Sequence, residues 1–346
     1  MPYDELARLL REDERRITVG ALPDGSVDEY YRVRDAESYV VSRDAVAEAI
    51  RSGRDSFRLE HVMTDPGGQS VNMARQAAAL GDQVTLYGHL DHPIFDLDFE
   101  TVSMGAPAVV SVLLFDADDL MLVEESADIR NWTFADFRDA CVHGVRDFLE
   151  RDVVCCANFA STFGLPDALH AMAATTDEGN TFVLDPGPIS TVREARLDAL
   201  VTALGRLADS FDVVVSVNAD ECRRFVDVID GVDADEFDEA GVTAGALDGI
   251  RRHTGVDAVV AHQERAAVAA TPDGVLEVPN LKIIRNMTET GAGDRFSAAL
   301  ARGLGADWGW EASLALGNAC TSYYVATGQT ADREDLLTHV AVHDPV

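Results

Sequence analysis

Lysine is nearly missing from this chain: of its 28 basic residues only Lys282 is a lysine, the rest being arginine. That scarcity excludes chemistry. A Walker-type phosphate loop needs GxxxxGK[ST], whereas Lys282 is followed by Ile283 and Ile284. The strand lysine of a protein kinase is excluded on the same ground. Any phosphate chemistry must therefore use backbone amides, arginine and metal. Long apolar runs are missing too, and none approaches the ~20 residues of a membrane span. Cysteine is sparse and unpatterned. Cys141, Cys155, Cys156, Cys222 and Cys320 form no CxxC pair or other metal-ligand spacing, and Cys155 and Cys156, inside an apolar run, read as buried thiols. The N-terminal MPYDELARLLREDERR is charged with a helical pattern and is no secretory signal, so a cytoplasmic protein is expected.

Positive charge is the other shortage. Against the 28 bases stand 61 acids, a formal charge of −33 over 346 residues. Nucleic-acid binding needs a basic footprint and is excluded. The acids are spread along the chain, so they are expected to coat a folded surface whose self-repulsion is screened within ~3 Å at 1 M salt. This is the pattern expected of a halophile's salty cytoplasm; an acidic partner-binding surface is the competing reading.

What is present is an alternation of apolar runs and amphipathic stretches. Strands are expected at 17–22, 83–88, 153–158, 181–185, 212–218 and 257–262, with helices at 70–80, 165–175, 221–228 and 247–253 between them. Such alternation predicts a mostly parallel sheet covered on both faces, with ligands at the carboxyl ends of strands. Two segments break the pattern. Asp28–Val33 and Ala108–Glu125 read as β-structure without intervening helices, the second with an acidic turn at Asp116–Asp119. They are expected to form a small sheet standing off the main body, or else to extend its edge.

Two segments carry chemistry. In TETGAGDRFSAAL (288–300), Gly291, Ala292 and Gly293 lead into a helical stretch, where exposed backbone N–H groups and the helix dipole favour an anion. Asp294 beside such a hole is poor for binding phosphate but suited to taking a proton from a hydroxyl that attacks one. Alternatively, GAGD is a tight turn and Asp294 a helix cap. In DPGGQSVNMARQAAALG (65–81), the glycines Gly67 and Gly68 ahead of a helix allow close contact with a polyhydroxylated ligand, and Asn72 offers both donor and acceptor groups; the alternative is a glycine turn before a packed helix.

The two segments, in this order and spacing, resemble the signatures of the PfkB/ribokinase family of carbohydrate kinases, as do Asn218–Ala219–Asp220–Glu221 (the family's NxxE) and Asn318 in the last long helix. The resemblance runs from about residue 17 to 328. It implies an α/β fold, a ribokinase-like αβα sandwich with a mostly parallel central sheet and a small β-sheet lid formed by about 27–35 and 106–126, in a single domain spanning 1–346. It also implies transfer of the γ-phosphate of ATP, with Mg²⁺, to a hydroxyl of a sugar, sugar acid or nucleoside. Asp294 would be the general base, and the amides of Gly291, Ala292 and Gly293 the anion hole. Gly67, Gly68 and Asn72 would contact the sugar, whose hydroxyls Asp28 (or Asp24) would hold. Glu221, with Asn218, would place Mg²⁺ through water, and Asn318 would lie near the nucleotide. Asn158, ending the VVCCAN run, is a further substrate candidate. Two departures stand out. Thr288–Glu289–Thr290 replaces the usual Asp–Thr before GAGD, and Ala261–Ala267 (AHQERAA) replaces the usual Thr/Gly-rich nucleotide contact, which leaves ADP open as donor. A sensor that keeps the fold without turnover is the alternative outside the enzyme class. The resemblance leaves room for a homodimer through the lid.

Overall fold

The computed structural model describes residues 1–346 apart from 36, 37, 41, 117, 118, 230, 231, 233–236, 239, 240, 284–286 and 289. Two positions of the expectations above lie outside the described residues: the middle of the acidic turn at 117–118, and Glu289.

The main sheet has nine strands. In spatial order they are Gly274–Pro279, Ala266–Thr271, Ala258–His262, Asp212–Val217, Thr181–Asp185, Val153–Ala157, Thr18–Leu22, Gln83–Gly88 and Glu100–Ser103. All neighbours pair in parallel except the first two strands, which turn back as antiparallel hairpins at one edge. The central strands are buried along their length, as continuous β-branched runs require when both faces are covered. The pleat sends alternate side chains into two cores. Val153 and Cys155 join the core beneath helices Gln69–Ala79, Ala292–Gly305 and Trp310–Thr327. Val154 and Cys156 join the one beneath Leu165–Ala173, Glu194–Leu207 and Ala244–Thr254. Both cysteines are free and buried, as expected from the apolar run.

The two stand-off segments do form a sheet of their own and do not extend the main one. Its order is Arg58–Gly67, Ser26–Arg34, Ala108–Leu114, Leu120–Glu124. Arg58–Gly67 has no sequence signature of a strand because only its last residue is buried and its apolar residues are themselves exposed, so no apolar alternation marks it. Between Ser26–Arg34 and Arg58–Gly67 lies a helix, Arg43–Arg51, capped by the Ser42 side chain on the Ala45 N–H.

The folding of the chain at the strand ends positions the site. Parallel neighbours place the residues following Leu22, Ala157, Asp185, Val217 and Ala261 in a row along one edge of the sheet. Helices Gln69–Ala79 and Ala292–Gly305 pack side by side with their N-termini directed at the same edge, and the small sheet stands over one end.

Candidate active site

A single cleft of about 1270 Å³ runs along that edge. Its volume exceeds the ~300–1,000 Å³ typical of a site for one small ligand, and so admits two. Of the residues singled out in the sequence, all line it except Gly67.

Asp294 is the third residue of helix Ala292–Gly305, and the N-cap is Gly291. The helix-cap alternative is thereby removed, because the Asp294 carboxylate turns away from the helix end. Its Oδ2 accepts from Asn72 Nδ2 at 2.8 Å and its Oδ1 from Gln69 Nε2 at 3.2 Å. Gly291 has φ +81°, a left-handed conformation that favours glycine, and a Cβ there would stand 2.7 Å from an Arg295 guanidinium nitrogen. No side chain caps this helix, so its first N–H groups face the cleft as anion donors. Burial pushes the Asp294 carboxyl up from 3.8 to about 6; the charge of Asp185 adds to the rise, while Asn72, Arg295 and Gln69 oppose it.

Asp28 and Asp24, alternatives in the sequence, have different surroundings. Asp24 is buried, and its carboxylate accepts from the backbone N–H of Gln69 (3.1 Å) and Ser70 (2.8 Å) and from Asn158 Nδ2 (2.9 Å). It caps helix Gln69–Ala79 from a distance in sequence and holds Asn158, whose side chain is committed to this contact and to the Ser161 N–H. Asp28 keeps its carboxylate in the cleft, where among the described residues Ser26 Oγ is its one hydrogen-bond partner. Its strand neighbour across the small sheet is Asp65. Burial raises its carboxyl from 3.8 to about 6 against the lowering effect of Ser26, and the charges of Asp65, Asp24 and Asp294 add to the rise. Gly67 packs directly on this carboxylate: a Cβ would come within 2.1 Å of it, so this glycine makes room for Asp28.

Beyond Asp294, Asn218 and Glu221 form a capping box at the start of helix Ala219–Val226. Asn218 Oδ1 accepts from the Asp220 and Glu221 N–H groups, and Glu221 Oε2 accepts from the Asn218 N–H. Burial, and then the charges of Asp185 and Asp294, raise Glu221 to about 9. Asp185, held by Ser297 Oγ, Gly187 N–H and Gln69 Nε2, is likewise raised by burial. Three buried carboxylates, with Asp185 raising the other two and Asp294 adding to the rise of Glu221, fit a cation arriving with a second ligand. Among the described residues no three such side chains converge closely enough to hold a metal directly. The buried carboxylates beside Asn218 fit a Mg²⁺ that phosphate and water would largely hold.

The far end of the cleft is lined by His262, Arg265, Lys282 and Asn318. The AHQERAA segment ends strand Ala258–His262, turns, and begins Ala266–Thr271. Asn280 pins that turn through the carbonyls of Gln263 and Glu264. Burial lowers His262 to about 4, so the ring is neutral beside Gly293. Asn318 is buried, and its amide donates to the Val278 carbonyl at 2.9 Å.

Two features escaped the sequence. Gln69 lies inside the quoted DPGGQSVN segment, and its place between the glycines and Asn72 was the available signal. Arg295 reads as a surface residue, yet it is 3% exposed, donates to the Gly291 carbonyl at 2.7 Å and stacks 3.7 Å from the Tyr324 ring centroid.

The sequence model of the prokaryotic ketohexokinase family matches residues 25–342. The chain belongs to that family. It is a carbohydrate kinase, a phosphotransferase with an alcohol group as acceptor. The ketohexokinase of Haloferax volcanii is 26% identical over 325 residues, covering 90% of this chain and 84% of that protein. Among solved structures, Thermotoga maritima ribokinase superposes with a TM-score of 0.66 at 15% identity, covering 94% of this chain and 99% of that one. Arabidopsis thaliana ribokinase, solved with ribose and ATP, gives 0.62 at 15% identity, covering 94% and 99%. These likenesses establish the ribokinase-like fold, as expected from the order of the GGQSVN and GAGD segments. Among the described residues no helix is long and apolar enough to cross a membrane.

Proposed function

We propose that this kinase transfers the γ-phosphoryl group of ATP to a hydroxymethyl group of a ketohexose, with Asp294 as general base. The observation that carries the reading is the Asp294 carboxylate. It is buried, fixed through both oxygens by Asn72 and Gln69, and set beside the uncapped start of helix Ala292–Gly305. With its carboxyl near 6, the group is ionised at neutral pH yet basic enough to take a proton, as a general base must be.

The hydroxyl proton passes to Asp294 as the hydroxyl oxygen bonds to phosphorus and the bond to the leaving ADP oxygen breaks. The amides of Gly291, Ala292 and Gly293 bear the charge that gathers on the transferring group. Asp28 accepts from two sugar hydroxyls, while Gly68 and Asn72 line the same end and Gly67 leaves space for the Asp28 side chain. Asn158 supports this end through Asp24. Glu221 and Asn218 would hold, through water, the Mg²⁺ that accompanies the nucleotide, which would offset the phosphate charge. Arg265 and Lys282, at the cleft's far end, supply cationic contacts to the donor where the family's Thr/Gly-rich segment is absent. Asn318, which lines the cleft and donates to the Val278 carbonyl, lies near the nucleotide. The four-stranded sheet acts as a lid within a single domain. It is also the part of the chain through which a second copy would pair. The acidic coat suits a cytoplasm of high salt.

Steady-state turnover with a panel of ketohexoses, aldoses, sugar acids and nucleosides, run with ATP and Mg²⁺ in molar KCl, tests the acceptor. A ketohexose should give the highest kcat/KM; a nucleoside or aldose preferred over every ketohexose refutes the assignment.

A further inference from the structure

Gln69 makes contacts that sugar binding does not require. Its side-chain nitrogen donates to two carboxylates at once, Asp185 Oδ1 at 3.0 Å and Asp294 Oδ1 at 3.2 Å. Chemistry fixes the sense of the amide, since the reverse orientation would set its oxygen against both acids. Among the described residues that oxygen has no hydrogen-bond partner, and it lies against Gly187, where a Cβ would come within 2.4 Å of it. The backbone N–H is held by Asp24. The amide is thus gripped at its root and blocked from behind. A neutral donor can serve two carboxylates without adding charge, whereas a carboxylate in its place would repel both.

We propose that Gln69 is the positioning residue for the base. With Asn72 on the opposite oxygen it fixes the plane of the Asp294 carboxylate and ties it to Asp185, which Ser297 and the Gly187 N–H anchor in turn. Asp294 is faced by the carboxylates of Asp185, Glu221 and Asp28 and by the Arg295 cation. Without the shared donor, the acids lose the one neutral group between Asp185 and Asp294. This inference rests on Asp294 being the base.

The test is Gln69→Met, similar in length and without donors, assayed against the acceptor across pH. The proposal expects kcat to fall roughly 10- to 100-fold with acceptor KM within about three-fold. The acid limb of the kcat profile should move up by about one pH unit or more, because a hydrogen bond to the ionised form is lost. Unchanged kcat overturns it, as does a loss of activity that tracks a lowered Tm with the acid limb in place. Where Met disturbs folding, Gln69→Glu keeps the length and polarity; its third carboxylate should move the limb up further, and no movement overturns the proposal. Asp294→Asn run in parallel separates the two ideas. If that variant loses kcat while Gln69→Met keeps it, only the positioning role fails. If Asp294→Asn keeps kcat, the base assignment fails and this role with it.

Discussion

Replacing Asp294 with Asn should make the protein more stable as well as slower. The folded state holds this carboxyl at about 6 against an ordinary 3.8, chiefly through burial and the charge of Asp185. A folded-state pKa raised above the unfolded one means stability that is fully present below the unfolded pKa and is lost as pH rises through the folded one. The cost of keeping Asp294 ionised is therefore absent below about pH 4, grows between about 4 and 6, and is complete above that. At 1.36 kcal/mol per pKa unit, it amounts to about 3 kcal/mol. Part of it is shared with Asp185 and Glu221, and Asn gives up roughly 0.3–1 kcal/mol of favourable interaction with the helix dipole. About 1–2 kcal/mol should remain. A chain of this length unfolds with an entropy near 0.7 kcal/mol/K, at ~2.1 cal/mol/K per residue, so Tm should rise by about 1.5–3 °C. Thermal melts of both proteins in molar KCl, at about pH 8 and about pH 4.5, measure the effect, which should be largest at the higher pH. A variant less stable at pH 8, or one shifted equally at both, refutes the reasoning.

Other outcomes follow from the same structure. With a net charge of −33, Tm should fall as KCl drops from molar levels to ~0.1 M, where the Debye length reaches ~10 Å; a Tm constant over that range removes the halophile reading. Asp28→Asn should raise acceptor KM roughly 10- to 100-fold, the worth of hydrogen bonds to an ionised group, and leave donor KM alone. Wild-type acceptor affinity should also weaken as pH falls through about 6, where Asp28 takes up its proton; affinity flat from pH 8 to about 5 argues against Asp28 holding the sugar. ATP should outperform ADP as donor. Arg265→Gln and Lys282→Gln should each raise donor KM roughly two- to five-fold, as exposed charges do, and unchanged donor KM in both removes these contacts.

The sheet was legible because its central strands are continuous apolar runs, and the candidate site because glycines at 67, 68, 291 and 293 precede helical patterns at informative spacings. What stayed hidden depends on burial that composition does not reveal. Arg295 and Asp24 are charged residues enclosed by the fold, and a charged side chain reads as surface until its neighbours are known. The choice between Asp24 and Asp28 could not be made from spacing, because it turns on which carboxylate the backbone amides of Gln69 and Ser70 occupy. Strand Arg58–Gly67 and the antiparallel edge strand Gly274–Pro279 are largely exposed, so neither shows the apolar alternation by which strands are recognised.

The central claim is that Asp294 takes the proton of the attacking hydroxyl. The most direct measurement is kcat for phosphorylation of the best ketohexose by the wild type and by Asp294→Asn, at saturating ATP and Mg²⁺ in molar KCl. The account predicts a loss of ~10²–10⁴ in kcat, the usual worth of general-base assistance, with acceptor KM nearly unchanged. An Asp294→Asn variant that turns over at a near-normal rate would contradict it.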